Sequence, residues 1–158
     1  IARWVCAMLI GSEEIRRLVP HAGGMCLIDT VLQWDHESIH CCSTSHQSLD
    51  HPLRRDGQLS ALHVFEYAAQ AAAIHGALLA RGNAVATRAG YLGALRHASL
   101  AIRRLDTIAG PLDVSARLLI GDRGNAIYAC QVAAAGSVLA EARITIAERP
   151  ANQPCGED

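Results

Sequence analysis

The sequence predicts an α+β domain in which an antiparallel sheet wraps around one long helix. A long apolar helical pattern lies in the middle of the chain, with strand-like patterns after it and a short helix and hairpin before it. Hydrophobic residues make up 51% of the 158 residues but aromatic residues only 4%, so Ala, Leu, Ile and Val must build the core. This length favours a single domain, 1–158, with its core at about 12–147. Residues 1–11 and 149–158 are expected to be peripheral or disordered.

The first quarter of the chain predicts a short helix followed by a hairpin. Residues 11–18 have a helical pattern that Ser12 can cap, with acidic residues in the first turn, and Pro20 ends it. Apolar, β-prone runs at 25–34 and 38–44 flank a polar turn. We expect these two runs to pair as antiparallel strands.

The long helix is predicted over residues 60 to about 81, after a polar loop at 45–58. Ser60 is a natural N-cap, and Gly82 followed by Asn83 is a natural end. Small and apolar residues recur every three or four positions, at Leu62, Phe65, Ala69, Ala73, Gly76 and Ala80. We expect this stripe to face the sheet, because small side chains allow a close approach.

The rest of the chain predicts three or four antiparallel strands. Residues 88–96 form a probable strand pattern that continues to 104 past a bend, and residues 112–120 alternate between apolar and polar. Strands at 126–135 and 138–146 follow a tight turn at 122–125. The alternation is clearest in the last strand.

The composition argues against several classes of function. The net charge is −1 and the basic residues are scattered, so neither a nucleic acid nor a membrane is an expected partner. The apolar run at the start is a weak signal peptide at most, and no later run reaches the roughly 20 apolar residues of a spanning helix.

The six cysteines, at 6, 26, 41, 42, 130 and 155, form no CxxC pair. On a strand, Cys41 and Cys42 would point to opposite faces. We therefore expect a cytoplasmic protein with reduced thiols, no metal and no cofactor.

The stretch HPLRRDGQLSALHVFEYAAQ, residues 51–70, holds an acid, a base and a helix start. His51 lies in the polar loop, and histidine suits a general base near neutral pH. Glu66 lies in an apolar helical run, a setting that keeps a carboxylic acid protonated and suits a general acid. Free amides at a helix start suit negative charge that develops on a substrate oxygen.

Simpler interpretations of these residues stay open. Glu66 could face solvent or pair with an arginine instead of serving in catalysis. His46 lies in the same loop as His51 and is its rival, whereas His63 is more simply a polar neighbour of Glu66. Tyr67 is expected to serve, with Gln70, in packing and hydrogen bonding.

Three segments resemble the hotdog-fold β-hydroxyacyl-ACP dehydratases (FabA/FabZ-like). LVPHAGGMCLIDTV at 18–31 resembles the family's opening, and HPLRRDGQLSALHVFEYAAQAAAIHG at 51–76 resembles its active-site loop and central helix. GYLGALRHASLAIRRLDTIAGPLDVSARLL at 90–119 resembles a later strand. The similarity is greatest to the dehydratase-like branch of aryl polyene and related secondary lipid pathways.

The resemblance implies dehydration of 3-hydroxyacyl thioesters on acyl carrier protein to trans-2-enoyl thioesters, in fatty acid or polyene biosynthesis and without a cofactor. It implies His51 as the catalytic histidine and Glu66 as the catalytic carboxylate, contributed by opposite subunits of a dimer. By position, the backbone amides of Ala61 and Leu62 would bind the thioester oxygen.

Two further groups of residues have a simple and a functional interpretation. Gly90 and Gly93 are expected to line the substrate site, where the alternative is ordinary strand twist and bulge. Four arginines are most simply solvated charges, but they could bind the phosphate of a carrier arm: Arg54, Arg55, Arg103 and Arg104.

Two other functions fit the same fold. In a hotdog acyl-thioesterase, Glu66 would activate water, and no loop histidine is needed. A non-catalytic acyl-binding subunit is suggested by the loop at His51, which lacks the common GHFP motif and is about one residue longer than the family pattern. The expected partners are an acyl carrier protein or CoA thioester and a second hotdog chain, in a homodimer or with a homologous hetero-partner.

Overall fold

The computed structural model describes residues 10–19, 23–82, 90–122 and 125–148. This part of the chain forms two helices and six strands, which confirms the predicted α+β class. In chain order the elements are α1 Ser12–Leu18, β1 Thr30–Trp34, β2 Ser38–Ser43, α2 Val64–Gly82, β3 Gly90–Leu100, β4 Leu112–Asp122, β5 Asn125–Ala134 and β6 Ser137–Glu148. Short 3-10 turns lie at Gly23–Met25, Ser45–Gln47 and Ala61–His63.

The strands form one sheet in the order β1-β2-β4-β5-β6-β3, and every neighbouring pair is antiparallel. β3 follows α2 in the chain but lies beside β6, so β1 and β3 are the two edges. One face of the sheet packs on α2, which contacts β2, β4, β5 and β6. Val114, Tyr128 and Ile144 are buried in this core. In the described residues no helix has the length and apolarity to cross a membrane.

The predicted stripe of α2 is buried only in part. Phe65 and Ala69 are each 8% exposed, whereas Leu62 is 65% exposed and Ala73, Gly76 and Ala80 are half-buried. A Cβ on Gly76 would lie 3.9 Å from the hydroxyl of Tyr128 on β5, so the stripe does approach the sheet there. The adjacent face is buried throughout, at Val64, Tyr67, Ala71, Ile74 and Leu78. α2 is therefore buried on nearly all sides, and the stripe does not mark its most buried side.

β1 is shorter than predicted because the segment before it bonds to side chains. The predicted strand included residue 25, whereas β1 begins at Thr30. The Leu27 amide donates to Oε1 of Gln70 at 2.8 Å, and the Leu27 carbonyl accepts from Oγ of Ser43 at 2.5 Å. Nε2 of Gln70 also donates to the carbonyl of Met25 at 2.7 Å. These bonds fasten the segment to α2 and leave it outside the ladder.

The helix starts differ from the predictions in detail. Gly11, not Ser12, holds the cap position of α1, and no side chain bonds there. Ser60 does act as a cap, since its side chain accepts from the Leu62 amide at 3.3 Å. The capped segment is a 3-10 turn, and α2 proper begins at Val64.

The predicted bend after residue 96 is confirmed. The register of β3 against β6 shifts between Arg96 and Ser99, and His97 has a φ of 49°. The predicted helix ends at Pro20 and Asn83, and the centre of the turn at 122–125, lie outside the described residues.

The four cysteines in the described residues are free thiols, as predicted. Cys41 points into the core and Cys42 to the outer face of β2, which confirms the expected alternation. Burial raises the pKa of Cys41 and of Cys130 to about 12. Thiols with such a raised pKa are poor nucleophiles, so these two serve in packing.

His75 is a fully buried histidine in the middle of α2. Its Nε2 lies 2.9 Å from the carbonyl oxygen of Asp35, and its Nδ1 lies 3.0 Å from the hydroxyl of Tyr128. A carbonyl only accepts, so Nε2 carries the hydrogen and Nδ1 accepts from the tyrosine. Burial lowers the pKa of His75, and the neutral ring satisfies both bonds.

The turn between β5 and β6 places an alanine in the left-handed region. Ala134 pairs with Ser137, and the two residues between them, Ala135 and Gly136, have φ values of 48° and 79°. Two positive φ values in a two-residue connection favour Asn-Gly, because the alanine Cβ is strained there.

We expect the free energy of unfolding to fall as the pH drops below about 6.5. The unfolded histidine keeps its ordinary pKa of 6.5 and the folded pKa of His75 is lower, so the unfolded state binds more protons on acidification. The loss is at most about 1.4 kcal/mol per pH unit for each such histidine. Denaturant titrations at several pH values measure it.

His75→Gln should weaken this pH dependence, although buried His46 and His51, whose pKa values burial also lowers, will retain part of it. The matched control is His97→Asn at an exposed position with positive φ, where we expect no change in the pH dependence. An unchanged slope in His75→Gln would contradict the prediction.

Ala135→Asn should stabilise the protein by about 0.5–1 kcal/mol, because asparagine tolerates the left-handed conformation. Thermal unfolding measures the gain. The control is Ala109→Asn, an exposed position without positive φ, where no gain is expected. A loss of stability in Ala135→Asn equal to that in the control would refute this account of the turn.

Candidate active site

The loop between β2 and α2 is held together by Arg54. Its Nε donates to the Ser48 carbonyl at 2.7 Å, its Nη1 to the Gly57 carbonyl at 2.8 Å and its Nη2 to the His46 carbonyl at 3.2 Å. The side chain is 11% exposed and lies 3.9 Å from a carboxylate oxygen of Asp106. Arg54 is thus a structural residue and not a solvated charge.

Asp106 ties this loop to the segment before β4. Its Oδ1 accepts from the Leu59 amide at 2.9 Å, just before the helix start. Arg104 bonds the same carboxylate, and this hydrogen bond holds the pKa of Asp106 well below its usual range. Arg54 and Arg104 thus contact the carboxylate of Asp106. The other two predicted arginines, Arg55 and Arg103, are exposed.

His51 is buried in this loop, with 5% of its surface exposed. Its Nδ1 accepts from the Leu53 amide at 3.2 Å, and its Nε2 lies 3.1 Å from the hydroxyl of Tyr67 on α2. Burial, followed by the charge of Arg54, lowers the pKa of His51. The ring is therefore neutral at pH 7, the state that a general base requires.

The partner of Tyr67 on its other side is Ser45, whose Oγ lies 2.7 Å from the tyrosine oxygen. The predicted role of Tyr67 in packing and hydrogen bonding is confirmed, whereas Ser45 was not among the predicted residues. The sequence did contain a signal for such a partner: a tyrosine in an apolar helical run is expected to be buried, and a buried hydroxyl needs a hydrogen-bond partner.

Glu66 lies on a different side of α2 from the His51 contact. It is half-buried, and its Oε1 accepts from Nε2 of Gln70 at 3.2 Å. It precedes Tyr67, and consecutive helix positions point about 100° apart. Within one chain the structure thus brings His51 to Tyr67, and Glu66 to Gln70.

The two predicted oxyanion amides are bonded within the chain. The Ala61 amide donates to the Arg103 carbonyl at 3.1 Å, and the Leu62 amide donates to Oγ of Ser60 at 3.3 Å. A serine hydroxyl can rotate away, whereas the Arg103 carbonyl belongs to the backbone. Of the two amides, that of Leu62 is therefore the one whose partner can move away.

Gly90 and Gly93 allow β3 to approach β6 closely. A Cβ on Gly90 would lie 2.8 Å from Cγ2 of Ile146, and one on Gly93 would lie 3.3 Å from Cβ of Ala147. Gly93 also lies at a register shift of β3. The side chains that require these glycines are thus those of β6, and their role at a substrate site stays a prediction.

The rival histidine, His46, is fully buried on the far side of the loop. Its Nε2 lies 3.0 Å from the carbonyl of Ile108, and burial lowers its pKa. Its Nδ1 has no hydrogen-bond partner among the described residues. His46 therefore fastens the loop to the segment before β4, while His51 is the loop histidine that contacts α2.

Arg54→Lys should destabilise the protein by about 2 kcal/mol, because a lysine cannot reach three carbonyls at once. Thermal unfolding measures the loss, and hydrogen exchange should show faster opening of residues 45–58. The matched control is Arg55→Lys, an exposed neighbour whose Nη1 bonds only carbonyls of its own turn. Equal effects of the two substitutions would contradict the role given to Arg54.

Comparisons with known proteins identify the family and the fold of the chain. The model of the ApeP-like family (ApeP dehydratase) matches residues 13–155, whereas no curated protein matches the chain. Among solved structures, the chain is similar to the dehydratase heterocomplex ApeI:P from Xenorhabdus doucetiae, with a TM-score of 0.76, 24% identity, and coverage of 87% of this chain and 91% of that one.

More distant structures share the fold. A candidate thioesterase from Shewanella oneidensis has a TM-score of 0.59 and 12% identity, over 88% of this chain and 97% of that one. The PaaI protein from the E. coli phenylacetic acid degradation operon has a TM-score of 0.56 and 14% identity, over 87% and 89%. These likenesses establish the hotdog fold, and the family match covers most of the sequence. The chain belongs to the ApeP-like dehydratase family.

Proposed function

We propose that this protein dehydrates 3-hydroxyacyl thioesters to trans-2-enoyl thioesters while an acyl carrier protein holds the chain. The observation that carries the proposal is His51, a buried imidazole, neutral at pH 7, that bonds the helix residue next to Glu66. Membership of a dehydratase family supports the reaction class. The similarity to the ApeI:P heterocomplex supports a role in polyene biosynthesis.

The proposed step balances without an external reactant. The C2–H bond of the substrate breaks, and its electron pair forms the C2=C3 double bond. His51 takes the C2 proton, and Glu66 in its protonated form gives a proton to the C3 hydroxyl, which leaves as water. Proton return from His51 to Glu66 through solvent completes the cycle.

The Leu62 amide is the proposed donor to the thioester oxygen. It lies at the start of the helical segment, where amides lack partners within the helix and attract negative charge. Its present bond to Oγ of Ser60, at 3.3 Å, is long enough to yield to an oxyanion. We leave Ala61 out of this role because the Arg103 carbonyl occupies its amide.

The site is proposed to be completed by a second hotdog chain. Glu66 and Tyr67, the residue that contacts His51, are consecutive on α2 and point about 100° apart, so an acid from one chain would meet a base from the other. β3 is an edge strand with exposed apolar side chains at Tyr91, Leu92, Leu95 and Leu100. Such an edge favours pairing with another strand. The solved relative is itself a heterocomplex, which favours a homologous hetero-partner.

The carrier is proposed to approach the helix start. Arg103 lies there, because its carbonyl bonds the Ala61 amide, and its side chain is exposed. Arg55 is exposed on the loop that carries His51. Arginines in this position suit the phosphate of a carrier arm.

A hydration assay tests the proposal. The protein is mixed with a 2-enoyl thioester, and the enoyl-thioester ultraviolet band is followed as water adds. We expect the wild type to consume the band, and Glu66→Gln and His51→Ala to be at least about a hundredfold slower. Glu37→Gln and His36→Ala, both exposed at the β1–β2 turn, are the matched controls and should stay active.

Other outcomes identify the alternatives. Release of free thiol from a saturated acyl thioester, with no hydration, would mean a thioesterase. Full activity in His51→Ala would count against dehydration by this residue. Binding of acyl carrier protein without either reaction would mean an acyl-binding subunit whose partner supplies the chemistry.

A further inference from the structure

The Tyr67 hydroxyl connects His51 to the backbone through a chain of hydrogen bonds. At one end the Leu53 amide donates to Nδ1 of His51 at 3.2 Å. At the other end the Leu27 carbonyl accepts from Oγ of Ser45 at 2.8 Å. Between them, Nε2 of His51 lies 3.1 Å from the Tyr67 oxygen, and that oxygen lies 2.7 Å from Oγ of Ser45.

The backbone groups at the two ends determine the direction of every bond between them. An amide N–H can only donate and a carbonyl can only accept. Nδ1 is therefore the unprotonated nitrogen of a neutral His51, and Nε2–H donates to Tyr67. Tyr67 then donates to Ser45, and Ser45 donates to Leu27. If Tyr67 donated to Nε2 instead, the ring hydrogen would be on Nδ1 and would meet the Leu53 N–H.

The chain of hydrogen bonds from His51 to Leu27 is anchored at both ends and protected from solvent. Tyr67 is fully buried, and burial raises its pKa to about 12, so its hydroxyl keeps its hydrogen at working pH. Ser43 supports the far end, since its Oγ accepts from the Ser45 amide at 3.1 Å and also donates to the Leu27 carbonyl. No water is needed to complete the directions of these bonds.

We propose that Tyr67 is a positioning residue for the dehydration: together with Ser45 it keeps the hydrogen of His51 on Nε2 and so makes Nδ1 the nitrogen that takes the C2 proton. The inference rests on the proposed function. For Nδ1 to take the proton, a bound substrate must displace its hydrogen bond to the Leu53 amide, which lies in the turn at 51–54.

Removal of the Tyr67 hydroxyl should also shift the pH profile of activity in a predictable direction. The tyrosine oxygen accepts the Nε2–H bond, which strengthens when His51 becomes positively charged. Removing that acceptor should lower the pKa of His51. The other groups that face His51 are Arg54, His63 and His46, whose charges also lower its pKa and which the substitution leaves in place.

Nitrogen NMR of the ¹⁵N-labelled full chain tests the tautomer without turnover. The His51 signals are assigned by their loss in His51→Gln. In the wild type at neutral pH we expect Nε2 to carry the hydrogen and Nδ1 to be bare. In Tyr67→Phe we expect a mixture of both tautomers. Tyr128→Phe removes the matching buried hydroxyl at His75 and should leave the His51 signals unchanged.

Kinetics with a 2-enoyl thioester test the positioning role. In Tyr67→Phe we expect kcat to fall at least about tenfold, while KM changes less than about twofold. The acid limb of its kcat profile should move to lower pH. Ser45→Ala should resemble Tyr67→Phe in kcat, and Ser45→Thr, which keeps the hydroxyl, should retain most of the activity. Tyr128→Phe should lower stability and leave the pH profile in place.

Two results would overturn the inference. One is a wild-type His51 with its hydrogen on Nδ1. The other is a Tyr67→Phe protein that loses stability but keeps the wild-type tautomer and pH profile, since Tyr67 would then serve in packing only. An expected tautomer in a wild type without hydration activity would refute the proposed function, and with it the catalytic part of this inference, while the hydrogen-bond directions would stand.

Discussion

A helix that is buried on nearly all sides must find a partner for each polar side chain it carries, and the rest of this structure depends on that constraint. Three such residues lie on α2: Tyr67, Gln70 and His75, all almost fully buried. An unsatisfied buried group costs about 1–3 kcal/mol. Gln70 therefore binds the segment before β1, and His75 binds the β1–β2 turn at Asp35. Tyr67 binds the loop that carries His51.

The geometry of the candidate site follows from this bonding. Because Tyr67 points inward, His51 is drawn under the loop and loses water, which keeps its ring neutral. Because Glu66 is the neighbouring position on the same helix, it points about 100° away from Tyr67. An acid and a base separated in this way act on one substrate only if another surface faces the helix. We propose that a second chain, paired at the exposed apolar edge of β3, supplies this surface.

The fold class could be predicted from the sequence because alternation and helical periodicity record burial residue by residue. The burial of α2 could be predicted only in part, since the predicted stripe includes Leu62, which is exposed, and misses the fully buried face at Tyr67 and Ile74. The partners of Gln70 and Tyr67 lie 43 and 22 residues away, so no local pattern indicates them. Arg54 was expected to be solvated because its three carbonyl partners exist only once the loop has its shape. His51 and Glu66 were predicted as site residues from residue type and motif. That His51 contacts Tyr67, while Glu66 contacts Gln70, could be learned only from the structure.

The hotdog fold by itself does not choose between dehydration and thioester hydrolysis, because a candidate thioesterase shares it at 12% identity. A helix carboxylate that activates water is sufficient for hydrolysis, and His51 would then have only a structural role, like that of His46 or His75. Keeping His51 dry and oriented is costly, because its ring is desolvated and Tyr67 and Ser45 must be ordered with it. Dehydration, in contrast, removes a proton at one carbon and supplies one at the oxygen of the next. A reaction with two proton transfers at separate atoms uses an acid and a base, the roles proposed for Glu66 and His51.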